Sequence, residues 1–310
     1  MTSSATPAPA TAKPTVETTP SVEPRARTGK AWHRTAVITH RRFDAGEVTL
    51  HVAEAGSGAP VLFIHGFPEG WFSWRAQMDA LAGAGFRAIA PDMRGYGESD
   101  KPRDKSRYKA SLVAGDLAAL VRSLGAGPIP VVGHDWGGPI AYRLAMDHPE
   151  LVSRLFVLNG PHPLQFARLL RRSAAQRRRS WYIFFFQLPF LPERFLQREG
   201  AMRRIFRGAV SDEQLAEYER AFRRPGAAKA AIDFYRAARL RDEPPRAPVF
   251  DKDALVLWGM RDFALGPECL EGLERWLPRV RIERLPNVGH FVQQEAPDEV
   301  SAILLRELRD

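Results

Sequence analysis

The chain has 310 residues, 45% hydrophobic and 26% charged, which is enough apolar material for a buried core and excludes disorder of the chain as a whole. Its net charge of +9 raises nucleic acid or an anionic membrane as partners, but residues 161–245 hold 18 Lys+Arg against 9 Asp+Glu and the remainder is balanced. The single cysteine, Cys269, excludes an internal disulfide and a Cys-based metal cluster, and no apolar run reaches the roughly 18 residues of a membrane-spanning helix.

In chain order, residues 1–30 are rich in Ser, Thr, Ala and Pro and lack a basic-then-apolar signal layout, so they are read as a disordered tail on a cytoplasmic protein. Alternating segments around Thr35–Arg42 and Val48–Ala55 predict two antiparallel strands joined by a turn at Asp44–Gly46. Continuous apolar runs follow at Pro60–Ile64, Arg87–Ala90, Ile129–Val132, Leu155–Leu158 and Ala254–Trp258, as buried parallel strands require. Helical patterns at Gln77–Ala84, Ser111–Leu124 and Pro139–Met146 separate them, and this alternation predicts a doubly wound α/β sheet. Between residues 161 and 245 the alternation stops. That stretch is Arg-rich and helical, punctuated by Pro189, Pro192 and Pro225, and is expected to be a helical lid over a core of residues 31–160 and 246–310. A helix at Glu268–Trp276 and a last strand near Arg279–Leu285 complete the expected core.

Four motifs carry chemistry. Ile129-Pro-Val-Val-Gly-His-Asp-Trp-Gly-Gly-Pro runs from a strand through a Gly-flanked turn into a helix, the form of a nucleophile elbow with Asp135 where a serine usually stands. A carboxylate nucleophile forms an ester, so it suits displacement at an electrophilic sp³ carbon better than acyl transfer. A plain strand–helix turn with Asp135 as N-cap is the alternative for this motif alone. Asp262 ends the strand Leu255-Val-Leu-Trp-Gly-Met-Arg-Asp, and His290 follows the last strand in Leu285-Pro-Asn-Val-Gly-His. The order nucleophile, acid, histidine is that of a hydrolase triad in which Asp262 orients His290 to take a proton from water. His65-Gly-Phe-Pro-Glu follows an apolar strand, so the backbone N–H groups of Phe67 and Trp136 are candidates for an oxyanion hole.

On these motifs the chain resembles the α/β-hydrolase superfamily, and within it the epoxide hydrolases, across residues 33–310. His65-Gly-Phe-Pro-Glu with Trp71-Phe-Ser-Trp-Arg75, Asp92-Met-Arg-Gly-Tyr-Gly-Glu-Ser-Asp100, and Gly133-His-Asp-Trp-Gly-Gly138 are similar to that family's oxyanion loop, fourth-strand loop and nucleophile turn. The resemblance implies two lid tyrosines. Ser180-Trp-Tyr-Ile-Phe-Phe-Phe-Gln-Leu-Pro189 offers Tyr182, and Asp233-Phe-Tyr-Arg236 offers Tyr235. It further implies a small apolar epoxide and water as substrates, a vicinal diol as product, and neither metal nor organic cofactor. Trp71, Trp136 and Phe186 are expected to line the pocket.

Haloalkane dehalogenases share the Asp nucleophile and its Trp neighbour, but commonly carry Asn where Phe67 stands. Fluoroacetate dehalogenases need arginines beside the nucleophile, where this chain has Gly137, Gly138 and Pro139. A non-catalytic binding protein on the same fold has no need of all three triad residues. The basic run Arg168–Arg179 lacks interleaved aromatics and any nucleic-acid motif, so no nucleic-acid partner is expected. Its charge bears instead on lid solubility and on attraction of anionic substrates.

Overall fold

A computed structural model describes residues 36–309, and the expected N-terminal tail lies outside the described residues. Eight strands form one sheet: β1 (Ile38–Asp44), β2 (Thr49–Ala55), β3 (Ala59–Ile64), β4 (Phe86–Pro91), β5 (Ile129–His134), β6 (Val152–Leu158), β7 (Ala254–Gly259) and β8 (Val280–Leu285). Their order is β1-β2-β4-β3-β5-β6-β7-β8. β2 is antiparallel to both neighbours, and the remaining pairs are parallel.

The central strands are apolar on both faces because both are covered. Leu62, Ile64, Val131, Val157 and Val256 belong to one apolar cluster. Val61, Phe63, Val132, Phe156 and Leu257 belong to the other, as the two-residue period of a strand dictates. α1 (Arg75–Gly83), α2 (Ala110–Ser123) and α3 (Gly137–Asp147) connect successive core strands. Leu117, Leu120 and Val121 of α2, with Ile140, Tyr142 and Leu144 of α3, cover the first face.

Between β6 and β7 lie seven helices: α4 (Pro163–Arg172), α5 (Ala174–Arg179), α6 (Trp181–Phe185), α7 (Leu191–Leu196), α8 (Ala201–Phe206), α9 (Asp212–Arg223) and α10 (Ala227–Ala237). α9 opens with a reciprocal capping box between Ser211 and Gln214. α11 (Val292–Glu295) and α12 (Pro297–Arg309) follow β8. Val300, Ile303 and Leu304 of α12 join Met78 and Leu81 of α1 in covering the second face.

One expectation needs correction. The helix at Glu268–Trp276 is two separate 3₁₀ turns, Pro267–Leu270 and Leu273–Arg275. Gly272 stands between them at φ 72°, a left-handed conformation that no right-handed helix can pass through. The apolar spacing of that stretch is served by Cys269, Leu270 and Leu273, which are buried without a continuous helix.

Candidate active site

Sharp turns at the ends of adjacent parallel strands bring the chemistry-bearing residues together. At the end of β5, Asp135 sits at φ 47°, a conformation that side chains rarely adopt and that tertiary contacts must hold. Its N–H donates to the Leu158 carbonyl, and its own carbonyl accepts from Gly138. The turn closes because glycines flank it. A Cβ at Gly137 would lie 2.1 Å from the Ile64 carbonyl oxygen, and one at Gly133 would lie 2.3 Å from that of Gly137. Gly66 is under the same constraint, since a Cβ there would meet the Asp135 Cβ at 2.4 Å.

The Asp135 carboxylate has two distinct oxygens. Oδ1 accepts the Phe67 N–H at 2.7 Å. Oδ2 faces His290 Nε2 at 3.4 Å. The other nitrogen of the imidazole, Nδ1, is 2.8 Å from Asp262 Oδ2. Asp262 also accepts the N–H groups of Ala264 at 2.6 Å and Leu265 at 2.9 Å, and the amide of Asn159 at 2.7 Å. Burial alone pushes the Asp262 carboxyl up, but the His290 charge and these hydrogen bonds overcome it and hold it below its ordinary value. Burial likewise pulls the His290 imidazole down, and the Asp262 charge with hydrogen bonds to Asp135 and Asp262 reverses that effect, leaving it well above its ordinary value. The imidazole is therefore held as a cation between two carboxylates.

Asn159 escaped the sequence reading. It is fully buried at the end of β6 at φ 36°, and its oxygen accepts the Gly259 N–H at 2.7 Å, which ties β6 to the loop that carries Asp262. Its position directly after an apolar strand is the signal that could have found it. Glu69 was named only as part of its motif, and its contacts come from the fold. Its carboxylate accepts the Gly66 N–H at 2.8 Å and the amides of Gln293 and Gln294 at 2.8 and 2.9 Å, and it lies 2.8 Å from His134 Nδ1. His134 Nε2 lies 2.8 Å from the His290 carbonyl, so one buried network joins the oxyanion loop, the elbow and the histidine loop.

Tyr182 of α6 and Tyr235 of α10 meet above Asp135 with ring centroids 6.0 Å apart at 85°. Phe67, Trp136 and Phe186 surround the Tyr235 ring edge-on, at 5.3, 5.1 and 4.8 Å. Burial first, then the Asp135 charge, pushes both phenols well above their ordinary value, so they stay protonated donors. Both tyrosines line a cavity of about 450 Å³ together with Asp135, His290, Phe67 and Phe186. The expected pocket residues are only partly right. Trp136 packs behind Tyr235 and does not line this cavity. Trp71 lies outside it altogether. Its N–H is tied to Asp92 Oδ1 at 3.0 Å, and its ring packs edge-on against His40 in a different cleft. Arginines of α5 and α8, which the sequence reading did not place, also line the cavity.

A mostly parallel eight-stranded sheet with an elbow after β5 and helices inserted after β6 defines an α/β hydrolase. A family model of the α/β hydrolase fold matches residues 59–297. The α/β-hydrolase superfamily protein YfhM of Bacillus subtilis is 34% identical over 275 residues, spanning 85% of this chain and 95% of that protein. Epoxide hydrolase 4 of Mus musculus is 33% identical over 281 residues, 86% of this chain and 78% of that protein. Among solved structures, a Bacillus megaterium epoxide hydrolase in complex with an inhibitor superposes with TM-score 0.80 at 28% identity, covering 87% of this chain and all of that one. The chain belongs to the α/β-hydrolase superfamily and, within it, to the epoxide hydrolase family.

Proposed function

We propose that the protein opens epoxides to vicinal diols through an ester on Asp135. The observation that carries this reading is a carboxylate in the elbow, anchored through one oxygen by the Phe67 N–H, beneath two phenols that remain protonated. The helices between β6 and β7 act as the lid that brings those phenols to the site.

In the first half-reaction, Oδ2 of Asp135 attacks a ring carbon, the carbon–oxygen bond breaks, and the departing oxygen is received by Tyr182 and Tyr235, which supply hydrogen bonds and a proton. Oδ1 stays on the Phe67 N–H and becomes the ester carbonyl. Esterification also removes the negative charge that faced His290 Nε2, and with it one cause of the raised imidazole pKa. The proton that His290 releases returns to the phenolate and restores the tyrosine, so that the neutral His290, oriented through Nδ1 by Asp262, is the base that takes a proton from water. The hydroxide adds to Cγ of Asp135, and the oxyanion rests on the N–H groups of Phe67 and Trp136, each contributing about 3 kcal/mol in comparable sites. Collapse of the adduct expels the diol, whose oxygen takes the proton from His290, and the carboxylic acid left at Asp135 then passes its proton to His290 and restores the resting pair. Among the described residues the Trp136 N–H has no acceptor, which leaves it available for the oxyanion.

A single turnover in ¹⁸O-water tests this. The diol should carry oxygen from the enzyme's carboxylate while the label appears in Asp135, and His290→Gln should accumulate the ester, visible as added mass. Solvent oxygen entering the diol directly in the first turnover excludes the covalent route. Halide release from chloroalkanes, followed in parallel, separates epoxide opening from dehalogenation.

A further inference from the structure

Among the described residues nine large apolar side chains are exposed, and five of them fall within eleven residues of the lid: Trp181, Phe184, Leu188, Phe190 and Leu191. Singly exposed apolar residues are ordinary, whereas a run of them marks a surface that meets a partner. Trp181 and Phe184 stand one turn apart on α6, a helix with no fully buried residue. The chain that follows is held in place, because Arg236 donates to the Phe186 and Leu188 carbonyls at 3.1 and 2.7 Å. Phe190 sits at φ 62°, a left-handed conformation unfavourable for an aromatic residue, and is 73% exposed. The fold thus holds an aromatic side chain outward with no gain in burial.

The surface beside this run carries charge of one sign. Residues 163–190 contain six arginines and no acidic residue. On α4, Leu164, Arg168, Arg171 and Arg172 are spaced to share one exposed face, while Gln165 and Leu169 are buried on the other. The side chains of Arg168, Arg171 and Arg172 have no hydrogen-bond or ion-pair partner among the described residues. Arg177 donates to the Leu170 and Arg171 carbonyls, which ties α5 to the end of α4, and α5 in turn packs on α6.

We infer that this face of the lid, from α4 to the start of α7, docks on an anionic lipid bilayer, with the arginines at the headgroups and the aromatic run in the interfacial layer. Guanidinium groups match lipid phosphates in fork geometry, their stems lie along apolar surface, and Trp favours the boundary between water and hydrocarbon. A helical surface that joins arginines to exposed Trp, Phe and Leu is attracted to such an interface by charge and by burial together. A second copy of this chain fits the face poorly, since a two-fold contact would set the same six arginines against each other. Side chains as exposed as Phe184 and Phe190 project from the surface, and a fluid lipid layer, unlike a folded partner, needs no matching pocket to receive them. Trp181 and Arg178 also line the cavity above Asp135, so docking turns the rim of that cavity toward the lipid.

The test is co-sedimentation of the full chain with vesicles of phosphatidylcholine alone or mixed equally with phosphatidylglycerol, at low and high salt. Mixed vesicles should bind at least about tenfold more tightly than neutral ones, and high salt should narrow the difference. Arg168→Gln/Arg171→Gln/Arg172→Gln should weaken binding to mixed vesicles by at least about tenfold. Arg275→Gln/Arg279→Gln/Arg284→Gln removes the same charge near β8 and should change it by less than about threefold. Phe184→Ser/Phe190→Ser should weaken it by about tenfold at unchanged net charge. All eight side chains are exposed, so each variant should melt as the wild type does. Absence of binding to mixed vesicles, equal losses in the two arginine triples, or wild-type binding by the aromatic variant overturns the proposal. So does a solution dimer that Phe184→Ser/Phe190→Ser splits, which assigns the run to a second copy, or retention on duplex DNA as tight as on mixed vesicles. Binding is read without turnover, so the result does not depend on the ring-opening reading.

Discussion

Replacing Asp135 by Asn imitates the charge state of the esterified enzyme and isolates its effect on His290. In the resting protein the Asp135 carboxylate stands 3.4 Å from His290 Nε2, with both side chains buried. Two unit charges at that distance attract by about 5 kcal/mol at an effective dielectric constant of about 20. The Phe67 N–H, 2.7 Å from the other oxygen, withdraws part of that charge, so a working range is about 2–5 kcal/mol. Asp135→Asn should remove this stabilisation of the imidazolium and leave the Asp262 contribution in place. Titrating the His290 resonance by NMR in protein carrying labelled histidine reads the result directly. The imidazole of the variant should lose its proton at lower pH than that of the wild type. A midpoint unchanged or moved upward would refute the idea that ester formation converts His290 from an acid into a base.

Three further outcomes follow from the same geometry. Tyr182→Phe or Tyr235→Phe should slow ester formation by about 10- to 100-fold with ester hydrolysis unaffected, read by stopped-flow quenching of Trp fluorescence; slowing of both steps alike would point to a packing role. Asn159→Ala removes the Asp262 donor and leaves the Gly259 N–H without its partner, so urea unfolding should register a loss of about 2–4 kcal/mol with lower kcat; a loss below about 1 kcal/mol would contradict the tie between β6 and the Asp262 loop. Stability should also depend on pH with opposite signs at the two ends. The His290 pKa is raised on folding, so its contribution is complete below the unfolded value of about 6.5 and is lost as pH rises through the folded value. The Asp262 pKa is lowered, so its contribution is present above about 3.9 and is lost as pH falls through the folded value. Tm should therefore fall on both sides of a weakly acidic plateau, and the alkaline fall should be shallower in Asp135→Asn.

Most of the chemistry could be read from the sequence because each triad residue sits where a strand ends, and a strand end is a local event. Asp135 is announced by its flanking glycines, Asp262 by the apolar run before it, and His290 by the loop after the last strand. Residues whose importance comes from long-range contact gave no such signal. Glu69 was visible inside its motif, yet its link to His134 and Gln293 depends on folding together segments 65 and 224 residues apart. Trp71 shows the converse. It follows the oxyanion loop closely enough to look like a pocket residue, but the hydrogen bond from its N–H to Asp92 turns it toward β1 and β2 and away from the nucleophile.

The inserted helices carry the same lesson into specificity. They range from 5 to 12 residues, too short to be stable alone, so their arrangement is set by the surfaces they bury and not by local propensity. Composition could locate the whole positive excess in residues 161–245 but could not say which arginines meet carboxylates. Folding sorts them. Arg203 pairs with Asp212, Arg224 with Glu98 and Arg236 with Glu193, while Arg178 and Arg204 stay unpaired on the opening above Asp135. At those two positions the charge that first suggested a nucleic acid or membrane partner faces the cavity above Asp135. Reversing that charge is expected to act by electrostatics: Arg204→Glu should lower kcat/KM for an anionic epoxide by more than about tenfold, exceeding the effect of Arg204→Gln, while a neutral epoxide of equal length is little affected. Equal losses for both substrates would mean that the rim shapes the cavity without reading charge.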